Sequence, residues 1–201
     1  MASNIITISR EYGSGGRTVG ELVAKKLGLP LYDREVVNAM AEKCGFSRDF
    51  IEEVGEYASV SNSFLFSLAV TSQSDKNINM MSSADQLYAC QARYIRELAE
   101  KGPCVIVGRC ADHILKNRED VFHAFIYADM DFRVNYMVEN YQKDAKLMPK
   151  WLREKDNRRK VYYKHYTGET WGDPHNYDVC LNTASTGIET AADIIVKLVQ
   201  S

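Results

Sequence analysis

Apolar positions along this chain fall into two alternating rhythms. Short β-branched or apolar runs at Ile5–Ile8, Val105–Val107, Phe122–Tyr127 and Tyr177–Leu181 read as buried strands. Leu29–Tyr32 is a further short run, and Pro30 restricts it to a brief or edge strand. Between these runs the apolar residues recur at helical spacing. Val19, Leu22, Val23 and Leu27 share one face of a helix that begins near Thr18 and stops at Gly28. The same spacing predicts helices at Val36–Ala41, from Ser47 to about Tyr57, from Asp131 to about Tyr141, from about Trp151 to Tyr163, and from Ile188 to Val199. Ser83 with Gln86 forms a capping box for another helix, whose inner face is Leu87, Cys90, Tyr94, Ile95 and Leu98 and which Gly102-Pro103 ends.

Strands alternating with helices predict a three-layer α/β/α fold around a five-stranded, mostly parallel sheet. From Ser59 to Ser83 the composition shifts to Ser and Asn around an apolar island, Phe64, Leu65, Phe66 and Leu68. This stretch reads as an inserted cap or interaction segment. The island suits either an oligomer interface, which would make the protein a homo-oligomer, or a packed core.

Composition narrows the classes of function. A chain of 201 residues, 45% hydrophobic, suits one α/β domain over residues 1–201, with a small insertion. The net charge of −2 gives no global reason to expect nucleic-acid or membrane partners. No apolar run approaches the roughly 18 residues that span a bilayer, and no leader pattern precedes the first strand, so a cytoplasmic protein is expected. The five cysteines form no C-x-x-C pair and read as small buried thiols.

The strongest chemical signal is Ser9-Arg10-Glu11-Tyr12-Gly13-Ser14-Gly15-Gly16-Arg17-Thr18, between a strand and a helix. Glycines there let consecutive N–H groups converge on one anion, and the helix N-terminus adds positive partial charge. Set against G-x-x-x-x-G-K-[ST], Gly16 and Thr18 fit. Glu11 stands at the first glycine and Arg17 at the lysine. On this reading Gly13, Ser14, Gly15, Gly16, Arg17 and Thr18 bind the phosphates of ATP. Arg17 is the catalytic cation, and the Thr18 hydroxyl ligates Mg²⁺. Asp129, which ends the fourth strand, is a second candidate Mg²⁺ ligand.

Acceptor contacts are expected where strands end at the same edge of the sheet. Asp33 and Arg34 follow the second strand, and their alternative is an N-cap with a first-turn ion pair. Arg109 follows the third, where its guanidinium suits an acceptor phosphate, and Asp112 is placed to pair either with that Arg or with a base. Residues 143–164 hold nine cations against three acids. Phosphoryl transfer needs cations on an element that closes, which makes Arg158 and Arg159 candidate lid arginines. The four histidines are widely spaced and read as core or surface residues.

In order along the chain, ITISREYGSGGRTVG (6–20), LYDRE (31–35), VIVGRCAD (105–112), EKDNRRKVYY (154–163) and NYDVCLNT (176–183) resemble the cytidylate kinase-like branch of the P-loop nucleoside monophosphate kinases. The resemblance implies a P-loop NTPase-like fold, a helical acceptor-binding insertion over about 34–100 and a lid over 143–165. It implies ATP on the glycine-rich loop, lid arginines on the transferred phosphoryl, and Arg109 on the acceptor phosphate. The implied reaction carries the γ-phosphoryl of Mg·ATP to CMP, dCMP or another small acceptor. The family's loop has Lys where this chain has Arg17, and its G-R-D motif ends here in Cys110. A non-catalytic nucleotide-binding module with a degenerate loop is the alternative reading.

Overall fold

In the computed structural model, residues 5–33, 45–47, 51 and 82–201 are described. Five parallel strands form one sheet: β1 (Ile5–Arg10), β2 (Leu31–Tyr32), β3 (Cys104–Val107), β4 (Val121–Tyr127) and β5 (Val179–Asn182). Their spatial order is β2-β3-β1-β4-β5, so the sheet is wholly parallel and β2 lies at its edge. β1 is central, with Ile8 level with Val107 on one side and Ala124 on the other.

Side-chain alternation along the strands separates two cores. Ile6, Ile8, Val105, Val107, Ala124 and Ile126 face one side. There they pack on Val19 and Val23 of α1 (Gly16–Leu27), and on the apolar stripe of the closing helix, Ile188–Gln200. Ile5, Cys104, Ile106 and Val121 face the other side. Ile95 and Ala99 of α2 (Ser83–Lys101) and Leu115, just after α3 (Ala111–Ile114), cover them. Among the described residues, fourteen buried side chains make up the first cluster and eight the second. Beyond β4 come α4 (Met130–Tyr141) and α5 (Met148–Thr167), then the short α6 (Thr183–Thr186), which leads into the closing helix, α7.

The elements differ from the expected ones at several ends. α1 starts at Gly16 rather than near Thr18, because Gly15 takes the left-handed conformation that ends the loop, at φ 75°. Ser82, not Ser83, caps α2. Its hydroxyl accepts from the Asp85 amide at 3.2 Å and donates to the Asp85 carboxylate at 2.8 Å, so the cap pairs with Asp85 at the third helical position. Cys104 and Cys110 are buried thiols and Cys180 is half-buried, whereas Cys90 is disulfide-bonded, against the expectation of unpaired cysteines. Arg34, the helix at 36–41, most of that at 47–57 and the apolar island at 64–68 lie outside the described residues.

Candidate functional site

β1 ends at Arg10, and the chain turns through Glu11–Gly15 into α1. Gly13 (φ 80°) and Gly15 (φ 75°) hold the two left-handed positions of that turn. A Cβ at Gly15 would also lie 2.6 Å from Ile188 Cδ1. Ser14 donates through its hydroxyl to the carbonyls of Glu11 (2.9 Å) and Ile126 (3.2 Å), and its own carbonyl accepts from Thr183 Oγ1 at 2.7 Å. The N-cap residue of α1 is a glycine, so no side chain satisfies the first amides of this 12-residue helix. Those amides and the helix dipole favour an anion at this end.

A buried ionic latch fixes the loop from behind. Arg133 of α4 is 4% exposed. Its Nε donates to the Tyr12 carbonyl at 2.7 Å and its Nη1 to Glu11 Oε2 at 3.3 Å, while Nη2 donates to Asp156 Oδ2. Asp156, on α5, also accepts from the Tyr12 amide at 2.8 Å. Burial raises the Glu11 carboxyl above its ordinary value, and Arg133 opposes that shift. Glu11 is therefore a structural member of the loop, binding Arg133 and the Ala128 amide at 3.3 Å. Arg159, also on α5, donates to the Arg10 carbonyl at 2.9 Å and lies over the Tyr12 ring at 4.4 Å.

The second turn at this edge follows β3. Gly108, Arg109 and Cys110 all have positive φ, at 77°, 59° and 54°. Two of the three are not glycine, a strain that concentrates at working sites. A small pocket of about 60 Å³ opens between the two turns, lined by Arg10, Arg109, Arg159, Tyr162, Tyr163 and Trp171 among others. Three guanidinium-bearing residues at one opening make it a site for an anion. Asp112 lies at 3% exposure. It accepts from Tyr163 at 2.8 Å and from Ser9 at 3.3 Å. Burial pushes its carboxyl upward, while the bond from Tyr163 pulls the other way.

Of the expected site residues, the structure brings Gly13–Gly16, Arg109 and Arg159 to this edge, with Asp112 buried next to it. Arg158 is half-buried on α5 and is not among the pocket's lining residues. Arg17 is turned to the surface, its side chain 50% exposed, and pairs with Glu21 at 3.2 Å and Asp33 at 2.9 Å. Asp33 is buried at 8% and so holds Arg17. The Thr18 hydroxyl bonds the Tyr136 hydroxyl at 2.9 Å. Asp129 is exposed and caps α4 through the Phe132 amide at 2.9 Å. No group of three His, Cys, Asp or Glu suited to a metal occurs among the described residues. Thr18 and Asp129, the expected metal ligands, each carry a hard oxygen, engaged here by Tyr136 and by the Phe132 amide respectively.

Arg10, Arg133 and Asp156 had no sequence-level role. A signal for Arg10 does exist, since a G-x-x-x-x-G frame that closes on Gly15 opens at Arg10. Arg133 and Asp156 carry no local signal, because their partners are distant in sequence.

Comparison with known proteins bears on this edge of the sheet. A model of the cytidylate kinase-like family matches residues 5–185. A cytidylate kinase of Archaeoglobus fulgidus is 30% identical, over 97% of this chain and 94% of that protein. The crystal structure of an uncharacterized protein from Eubacterium ventriosum aligns over 98% of each chain, at TM-score 0.74 and 29% identity. Shikimate kinase from Bacteroides thetaiotaomicron shares the fold over the full length of both chains, at TM-score 0.58 and 14% identity.

Proposed function

Because this chain belongs to the cytidylate kinase-like family, we propose that it carries the γ-phosphoryl of ATP to a nucleoside monophosphate, with CMP or dCMP the first acceptors to test. The observation that carries this reading is the pocket between the two turns, where Arg10, Arg109 and Arg159 meet beside the glycine-rich loop. An acceptor phosphate and the end of a triphosphate would face each other there.

In the proposed reaction an oxygen of the acceptor monophosphate attacks the γ-phosphorus. The bond from that phosphorus to the β,γ-bridging oxygen breaks, and ADP leaves with the electron pair. The products are ADP and a nucleoside diphosphate, and the attacking phosphate oxygen needs no general base. Catalysis is then positioning and charge neutralisation. Loop amides from Gly13 to Thr18 hold the triphosphate. Arg109 orients the acceptor phosphate, and Arg159, with Arg158 beside it on the same helix, meets the charge that develops on the transferred group. Mg²⁺, for which Thr18 and Asp129 are the candidate ligands, would neutralise phosphate charge. Tyr162, Tyr163 and Trp171 form the aromatic part of the pocket wall.

The latch bears on the lid expected over 143–165. α5 is tied to the loop through Asp156 and Arg159, so an arginine of the proposed lid already lies against the loop that would carry the triphosphate. The test is ADP release from Mg·ATP with CMP, dCMP, UMP, AMP, GMP and no acceptor. Turnover with CMP or dCMP above about 1 s⁻¹ is expected. Turnover with another monophosphate keeps the chemistry and moves the specificity. ATP binding without turnover on any acceptor would overturn the kinase reading in favour of a nucleotide-binding module.

A further inference from the structure

The loop lacks both the first glycine and the lysine of the usual phosphate-binding pattern, and the structure connects these two departures. Glycine is demanded where φ is positive, and the last such position before α1 is Gly15, not Gly16. A frame that closes on Gly15 places Arg10 at the pattern's first glycine, Gly16 at its lysine and Arg17 at its Ser/Thr, with Thr18 one residue further on. The two residues touch. A Cβ at Gly16 would lie 2.5 Å from Arg10 Cβ and 2.9 Å from Arg10 Cγ, so the arginine stem crosses the face of Gly16. Its far end rests on the second turn, where a Cβ at Gly108 would lie 2.0 Å from Arg10 Nη1 and 2.9 Å from Arg10 Cζ. Two glycines thus form a trough that carries the guanidinium from the end of β1 into the pocket it shares with Arg109 and Arg159.

We infer that the cation and the glycine of the phosphate-binding loop have exchanged places: Arg10, laid across Gly16 and Gly108, is the side chain that binds the β- and γ-phosphates, in place of a lysine at the start of α1. Arg17 lies elsewhere, paired with Glu21 and Asp33 at the protein surface. The exchange explains both departures together. A lysine at position 16 would collide with the Arg10 stem, and a glycine at position 10 would leave the pocket short of a cation. An arginine also suits the longer route, since its planar fork reaches two phosphate oxygens at once. The inference rests on reading the loop as a triphosphate cradle.

The test measures binding of ATP and of inorganic tripolyphosphate by calorimetry, apart from turnover. Arg10→Met is expected to weaken both by at least about 30-fold, with Arg10→Lys recovering part of the loss. Arg17→Ala is expected to cost under a tenth of what Arg10→Met costs. Gly16→Lys alone is expected to bind poorly, and the double variant R10G/G16K, which puts the glycine and the lysine back in their usual places, to bind better than G16K. That reversal does not depend on how well Arg10→Met folds. Wild-type affinity in Arg10→Met, or a larger loss in Arg17→Ala than in Arg10→Met, would overturn the assignment. A wild-type protein that binds tripolyphosphate yet phosphorylates no acceptor would sink the kinase reading alone, with the same binding comparison still deciding Arg10. If the wild type bound neither ATP nor tripolyphosphate, the cradle and Arg10's role would fall together.

Discussion

Two glycine-led turns stand side by side at one edge of the sheet, each delivering an arginine to the same pocket by different physics. The loop after β1 is held by charge: Arg133 joins Glu11, Asp156 and the Tyr12 backbone behind it. The turn after β3 is held by backbone conformation, with three successive residues at positive φ. The contrast teaches that a buried ionic lock places a loop without straining it but fails badly when one partner is lost. A strained turn aims one side chain at a small, steady cost. Asp112 joins the two, accepting from Ser9 of β1 while sitting just beyond the second turn.

The largest expected effect comes from breaking the lock. Arg133→Ala leaves Glu11 and the buried Asp156 without their cation and should destabilise the protein by about 3–5 kcal/mol. Urea denaturation reads this directly. A loss below about 1 kcal/mol would show that the loop does not depend on the latch.

Arg109→Asn sharpens the other half of the comparison. Asparagine tolerates the left-handed conformation that Arg109 holds at φ 59°. The variant should be more stable by up to about 1 kcal/mol, while the KM for the monophosphate acceptor rises about ten-fold or more. Stability and affinity moving in the same direction would contradict the idea that the strain serves acceptor binding.

The smallest effect concerns Asp112. Its carboxyl is raised by burial, so the folded protein binds the proton more tightly than the unfolded chain does. Stability from this group is fully present below the ordinary value near 3.8. It falls as pH rises through the raised folded value. Asp112→Asn should flatten that decline in denaturation midpoints measured across the acid range. An unchanged slope would mean that other carboxyls set it.

Much of this was legible from local pattern, and the reason is physical. A continuous β-branched run at Ile5–Ile8 and helical spacing at Val19–Leu27 depend only on which faces are buried, so the described strands and helices and the three-layer α/β/α class follow from the chain alone. The glycine-rich junction was equally visible, because left-handed turns demand glycine wherever they occur. Which arginine enters the pocket was not. Arg17 and Arg10 flank the same glycines and carry the same charge, and nothing local says which one faces the pocket. Tertiary structure decided it by bringing Gly108 from β3 beside the end of β1, which leaves a groove for Arg10, and by setting Asp33 beneath Arg17. Glu11 likewise looks like a defect in the motif until Arg133 and Asp156 arrive from α4 and α5. Backbone periodicity is a property of neighbours in sequence, whereas the direction of a charged side chain is fixed by the cavities and counter-charges that distant segments supply.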